Sequence, residues 1–125
     1  SLSLEKDLHA YLSKAVSDIE DGLVIEPDGV EYVIEAGKID ILAKDKSGSL
    51  VVIELKAGIA KDAALGQLLG YIGCISDQKK MSSARGILVA SDFDKRVVFA
   101  VKSLPHVKLI KYRLSFSFLE VTCSP

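Results

Sequence analysis

The sequence has no tryptophan, and its two cysteines, Cys74 and Cys123, stand far apart. They form neither a CxxC pair nor a Cys/His cluster, which argues against a zinc site. They read as free thiols of a reducing, cytoplasmic compartment, with Cys74 packed in a helix. No apolar run approaches the length of a membrane span and no signal-peptide pattern is present, so no membrane is expected among the partners. Internal repeats and low-complexity tracts are absent. Charge of one sign is lacking too: 16 Lys and Arg stand against 17 Asp and Glu, for a net charge of -1. A nucleic-acid partner would therefore need a local basic patch rather than a whole-molecule field. What remains is 125 residues, 49% of them hydrophobic, enough for one domain (1–125) with a real core. The first residues are Ser-Leu-Ser-Leu, without an initiator Met. That leaves open a processed or cloned fragment with an upstream domain missing.

The most informative stretch is 37–56. Two apolar runs, Ile39–Ala43 and Leu50–Leu55, flank the polar segment Lys44–Ser49, which contains Gly48. This is the pattern of a β-hairpin. With the loop centred on Ser47, Ala43 lies opposite Val51, Leu42 opposite Val52 and Asp40 opposite Glu54. Opposed residues share a face with Cβ atoms roughly 4.5–5.5 Å apart, and Lys56 shares the face of Glu54 because side chains alternate. Two opposed carboxylates repel unless something positive lies between them. A divalent cation would serve, and Lys56 would serve less completely. The plainer alternative is a half-exposed strand edge with an ordinary salt bridge.

Around this hairpin the chain alternates helices and strands. Leu4, Leu8, Tyr11, Leu12, Ala15, Val16 and Ile19 predict a helix over 4–20, with Ser3 as N-cap, Glu5 in the first turn and Gly22 past the end. His9 is expected at the surface. Leu23–Glu26 is extended, Pro27-Asp28-Gly29 predicts a turn, and Val30–Glu35 alternates as a strand with one buried face. A second helix is expected from about Ile59 to Ser76, with Leu65, Leu68, Leu69, Ile72 and Ile75 as its core face. Gly66, Gly70 and Gly73 form a stripe on it. Each interior glycine costs roughly 1 kcal/mol against alanine, so the stripe suggests a close backbone approach, either within the monomer or at a homodimer interface. Asp77–Ser83 predicts a polar loop and Gly86–Ala90 a buried strand. Ser91-Asp92-Phe93-Asp94 resembles a capping box opening a third helix that Pro105 stops. Val107–Arg113 and Phe116–Val121 predict two closing strands. The expected order is α-β-β-β-α-β-α-β-β, an α/β arrangement of the α+β kind, with helices packed on a mixed sheet.

Asp40, followed by Glu54-Leu55-Lys56 on the next strand, resembles the PD-(D/E)xK nuclease signature, and Gln67 with Tyr71 resembles the QxxxY motif of its RecB-like branch. Gly-Lys-Ile-Asp-Ile-Leu-Ala, Leu-Val-Val-Ile-Glu-Leu-Lys and Gly-Gln-Leu-Leu-Gly-Tyr are most similar to the catalytic domain of NucS/EndoMS-type endonucleases. The resemblance runs from about Glu5 to Ala90. It implies a restriction-endonuclease-like core, with Asp40, Glu54 and the Leu55 backbone carbonyl as metal ligands. It also implies that Lys56 positions the attacking water or stabilises developing charge. Glu5 would reach the metal or its ligands from the first helix, and Gln67 and Tyr71 would support the site and the scissile phosphate. Two departures stand out: Ile39 replaces the motif's proline, and Gly70 stands where relatives are expected to carry a basic residue. The DNA-binding and dimerisation domain of such enzymes is not in this sequence.

The chemistry accounts for these residue types independently. Phosphodiester hydrolysis needs a cation to polarise a phosphoryl oxygen and generate hydroxide. Mg²⁺ (or Mn²⁺) takes oxygen ligands, keeps several waters and uses one or two carboxylates. A lysine beside them supplies charge where negative charge develops. The function expected is a metal-dependent endodeoxyribonuclease of DNA repair or processing. The competing classes are a non-catalytic nucleic-acid-binding or assembly module on the same fold, and a Holliday-junction-type resolvase working as a two-site dimer. DNA contact is expected from Lys61, Lys79, Lys80, Lys95 and Arg96 rather than from net charge.

Overall fold

Two apolar runs that do not alternate, Leu50–Leu55 and Arg85–Ala90, become the strands buried on both faces. The computed structural model describes residues 2–81 and 84–123, and the loop expected over Asp77–Ser83 falls partly outside them. In chain order the elements are α1 (Leu2–Leu12), a 3-10 turn (Val16–Asp18), β1 (Val24–Ile34), β2 (Gly37–Lys44), β3 (Leu50–Leu55), β4 (Ile59–Ala60) and α2 (Asp62–Gln78). Then follow β5 (Arg85–Ala90), β6 (Asp92–Phe93), α3 (Lys95–Val101) and β7 (Val107–Lys111). The main sheet is mixed, in the order β1-β2-β3-β5-β7. β1, β2 and β3 form an antiparallel meander, while β5 runs parallel to β3 and β7 parallel to β5. Parallel neighbours need a crossover, and α2 supplies it between β3 and β5.

The sheet separates two apolar clusters. On one face Leu65, Leu68, Ile72 and Ile75 of α2 pack with Ile39, Leu42, Val52 and Leu88. On the other, Leu12, Val16 and Leu23 cover Ile41, Ala43, Val51, Ile53, Leu55, Ile87 and Val89. At one end of the sheet a charged knot ties distant segments. Arg85 gives two parallel hydrogen bonds to Glu20 (2.7 and 2.8 Å) and a third to Asp45 (3.0 Å). Lys108 also pairs with Glu20. The Arg85 and Lys108 bonds hold the Glu20 carboxyl at about 2 against their opposing burial, so it stays ionised well below neutrality.

Five expectations are corrected. The first helix ends at Leu12 and not near 20; the Ser13 hydroxyl turns back on the Ala10 carbonyl (2.8 Å), an alternative to continued helix, and a 3-10 turn buries Val16. Ser3 lies inside α1 and not before it. Pro27-Asp28-Gly29 is no turn but an irregularity within β1: the register with β2 shifts between Ile25 and Val30, and Asp28 takes a φ of 57°. Ser91 does not open α3. Asp92 and Phe93 instead pair in parallel with Ile59 and Ala60 as a small second sheet, and Asp94 holds the N-cap position without a side-chain capping bond. The strand expected over Phe116–Val121 is absent, and that segment lies outside regular structure, fully exposed.

The glycine stripe is corrected as well. A Cβ added at Gly66, Gly70 or Gly73 would meet nothing within 4 Å, so no backbone packs closely against it within the chain. With helical backbone and open space, Gly66→Ala and Gly70→Ala should each stabilise the protein by about 0.5–1 kcal/mol, by lowering the entropy of the unfolded chain. Urea unfolding checks this; a loss of stability in either variant would mean that something covers the stripe in solution.

Candidate active site

β2 and β3 pair from Lys44↔Leu50 to Ile41↔Ile53, the register counted from the sequence, and there the ladder stops. The next pair would be Asp40 and Glu54. Their side chains take over from the backbone: the Asp40 N–H donates to Glu54 Oε2 (2.8 Å), and the Leu55 N–H donates to Asp40 Oδ2 (2.8 Å). Each carboxylate thus satisfies a backbone donor of the opposite strand, as buried donors require. Strand alternation shifts at the same place. Ile39 joins the α2-side core, while Ile41, two residues on, joins the α1-side core. On β1, Glu31 lies in register with Asp40 between the Val30↔Ile41 and Tyr32↔Ile39 pairs and has a φ of 54°, a strained conformation of the sort found at functional sites.

A cavity of about 210 Å³ opens where the strands part. Glu5 and His9 of α1, Asp40, Glu54, Lys56 and Gln67 of α2 all line it, with Glu31 and Lys38 paired at 3.3 Å on its rim. Of the expected site residues the structure therefore brings together Asp40, Glu54, Leu55, Lys56, Glu5 and Gln67. Tyr71 is the exception. It is buried, accepts a hydrogen bond from Gln67 Nε2 (2.7 Å), and does not line the cavity. A Cβ at Gly37 would lie 2.7 Å from its hydroxyl. Tyr71 therefore touches the cavity lining through Gln67 and lies close to the start of β2, three residues before Asp40.

His9, expected at the surface, is at the site, with Nε2 3.6 Å from Asp40 Oδ1. The signal was in the sequence: His9 is four residues after Glu5, on the same helix face. Glu5 accepts from the Ala57 N–H (3.3 Å), pinning α1 to the chain just past Lys56. Lys56 is exposed, and its backbone is fixed by the bond from its N–H to the Val89 carbonyl (2.8 Å).

The electrostatics follow from burial. Glu54 is the buried charged residue of the described chain, at 7% exposure. Burial, and then the charge of Asp40, push its carboxyl up to about 8, with the Asp40 N–H and Lys56 pulling the other way. Asp40 is raised too, by burial first; the Leu55 N–H and His9 oppose this while Glu5 adds to it. Two carboxyls driven toward neutrality in one cleft have the chemistry of a cation site. Asp40 and Glu54 each accept a backbone N–H on one oxygen, and the other oxygen of Asp40, Oδ1, faces His9. No group of three His, Cys, Asp or Glu side chains is placed to enclose a metal ion among the described residues.

The expected basic contacts divide. Lys61 stands at the N-terminus of α2, one turn before Ala64 of the cavity wall. Lys79 and Lys80 follow the far end of that helix, roughly 22 Å away at 1.5 Å per residue, and Lys79 sits over the Tyr32 ring. Arg96 pairs with Asp62 (3.1 Å). No helix among the described residues is long and apolar enough to cross a membrane.

A family model described as Endonuclease NucS C-terminal domain matches residues 4–104. Endonuclease NucS of Sulfolobus acidocaldarius is 35% identical over 100 residues, covering 80% of this chain and 38% of that protein. Endonuclease NucS of Methanocaldococcus jannaschii is 39% identical over 72 residues, covering 58% of this chain and 27% of its own. Among solved structures, a repair endonuclease from Pyrococcus abyssi superposes with a TM-score of 0.74 at 25% identity, covering 90% of this chain and 46% of that one. EndoMS in a complex with double-stranded DNA has the same fold, with a TM-score of 0.75 at 23% identity over 89% of this chain and 46% of that one. The chain thus spans less than half the length of these relatives.

The raised Glu54 carboxyl has a consequence for stability. The folded protein holds a proton that the unfolded chain releases near its ordinary value of 4.5, so stability is full below about 4.5 and falls as pH rises toward 8. Glu54→Gln keeps an oxygen for the Asp40 N–H and removes the titration. In the presence of a chelator, the variant should match the wild type below pH 4.5 and exceed it above pH 8 by a few kcal/mol. Urea midpoints across this range check it, and a pH-independent difference would refute it.

Proposed function

The chain belongs to the Endonuclease NucS C-terminal domain family, and on that premise we propose that it is a metal-dependent endodeoxyribonuclease domain of the PD-(D/E)xK kind, acting in DNA repair or processing. The observation that carries the proposal is the reciprocal bonding of Asp40 and Glu54 at the parting of β2 and β3, with Lys56 on the cavity wall beside them. The relatives' names, which include a repair endonuclease and an EndoMS–DNA complex, support the substrate class.

Asp40, Glu54 and the Leu55 carbonyl would hold Mg²⁺ or Mn²⁺. The donor set fits: two carboxylates with one oxygen each uncommitted to the backbone, and too few side chains to form a full cage, suit an ion that keeps much of its water. Such an ion, when bound, supplies polarisation of a phosphoryl oxygen and a water acidic enough to attack. Lys56 places a fixed positive charge where the phosphoryl oxygens gain negative charge. Gln67, oriented by Tyr71, supports the scissile phosphate, and Glu5 fixes the chain that follows Lys56. His9 holds Asp40 from the α1 side. DNA is engaged through local charges, Lys61 foremost, since it is the basic candidate placed beside the cavity wall. Binding should therefore weaken steeply with salt as phosphate contacts release counterions. The length of the relatives leaves room for a separate DNA-binding domain.

The test is a cleavage panel of single-stranded, duplex, mismatched, flapped and four-way DNA with Mg²⁺ or Mn²⁺, beside calorimetric metal binding. Wild type should bind metal and cleave at least one substrate. Glu54→Gln should fold and lose both. Lys56→Ala should retain metal and lose cleavage about 10²–10³-fold, the worth of one transition-state charge contact. Equal cleavage by all three places the chemistry elsewhere. Wild type that neither binds metal nor cuts any DNA overturns the proposal.

A further inference from the structure

The basic residues expected from the sequence to meet DNA do not line the active-site cavity. Two lysines do: Lys56, and Lys38 on its rim. Lys38 stands near the start of β2, two residues before Asp40, and its Nζ lies 3.3 Å from Glu31 Oε1 on the neighbouring strand. Both side chains are more than half exposed. Glu31 has a φ of 54°, a left-handed backbone that is costly for any residue with a side chain. A strained residue that persists beside a site points to a role for that residue. A second cavity of about 410 Å³ shares Glu5, His9 and Glu31 with the first and adds Lys6 and Ala10 of α1. The cleft therefore continues along α1, with Glu31 at the junction of its two parts and Lys38 beside it.

We propose that Lys38 is a phosphate contact for the DNA strand that enters the cavity, and that Glu31 masks it until the strand arrives. This rests on the reading of the cavity as a phosphodiester site. With the scissile phosphate beside Asp40 and Glu54, the strand continues across the rim into the second cavity, where Lys6 lies. A neighbouring phosphate then displaces the Glu31 carboxylate from Lys38. The exchange is like for like, since one anionic acceptor replaces another and the lysine keeps a charged partner throughout. The pair is weak enough to exchange, because both groups are open to water and salt. In the free protein it leaves the rim without net charge, so a polyanion gains nothing there until a strand is seated in the cleft.

Fluorescence anisotropy of a short labelled DNA duplex, titrated in Ca²⁺ at several salt concentrations, tests the contact. K38M should bind about five- to tenfold more weakly than wild type at about 0.1 M salt, and its slope of log Kd against log salt should shrink by about 0.9, one phosphate's share. E31Q should bind about two- to fivefold more tightly, the range set by an exposed ion pair. E31N, whose side chain tolerates the left-handed backbone, should do the same. E31Q/K38M should bind like K38M, because Glu31 acts through the lysine. K46M removes an equal charge from Lys46, which pairs with Asp21 (2.9 Å) at the far end of the hairpin, and should bind like wild type. K38M binding equal to wild type overturns the contact, as does a wild type that binds no DNA. An E31Q gain that persists in the K38M background overturns the masking, and K46M weakened as much as K38M overturns the placement. The proposed function fails separately: Lys38-dependent binding without cleavage in Mg²⁺ or Mn²⁺ would refute the catalysis and leave the contact standing.

Discussion

The reciprocal hydrogen bonds between Asp40, Glu54 and each other's strands are the constraint on which the site depends. A hairpin that simply continued its ladder would bury the 40/54 pair flat in the sheet. By giving one oxygen each to a backbone N–H, the two carboxylates let β2 and β3 part without orphaning a donor. The parting creates the cleft, and the cleft buries the groups that made it. That burial is what pushes Glu54 to about 8 and raises Asp40. The shape of the hairpin's end and the electrostatics of the cleft thus have one cause: two carboxyls held in low dielectric by bonds to each other's strands.

The helices fix this arrangement from both sides of the sheet. α1 contributes Glu5, bonded to Ala57, and His9, beside Asp40. α2 contributes Gln67, and behind it Tyr71, whose hydroxyl lies so near Gly37 that any side chain there would collide with it. Gly37 opens β2 three residues before Asp40, so a side chain there would disturb the start of the strand that carries Asp40. The Arg85 knot with Glu20, Asp45 and Lys108 clamps the end of the sheet where the β2–β3 loop lies. With that loop tied and the ladder intact up to Ile41↔Ile53, divergence is confined to the last residues of the hairpin.

Much of this was legible in the sequence. The hairpin register followed from counting about Ser47, because a two-residue period and a short polar loop leave little freedom, and Asp40, Glu54 and Lys56 fell together as a result. The continuous apolar runs marked β3 and β5, since strands covered on both faces have no need to alternate. The failures have physical reasons. Pro27-Asp28-Gly29 carries turn chemistry, but the pairing of Ile25 with Ala43 holds the strand together across it. Ser91 and Asp94 have capping spacing, but the bond from the Asp94 N–H to the Ala60 carbonyl draws this stretch into a parallel pair first. Phe116–Val121 has strand composition, but a strand needs a neighbour, and composition does not say whether the neighbour is in the same chain. His9 carries no signal in the sequence as a lone histidine, and gains one only on the same helix face as Glu5.

The near-neutral charge of the chain is consistent with this economy. A strongly basic surface would draw phosphate everywhere and would raise the net charge that a folded domain must tolerate. Here acidic groups line the cavity, with Lys56 on its wall and Lys61 near it, while Lys79 is engaged by Tyr32 and Arg96 by Asp62. A polyanion approaching such a cleft meets repulsion from whichever of its carboxyls are ionised unless positive charge has already entered it. On the metal-dependent reading proposed above, a cation held by the carboxylates would neutralise the cleft before a phosphate entered it.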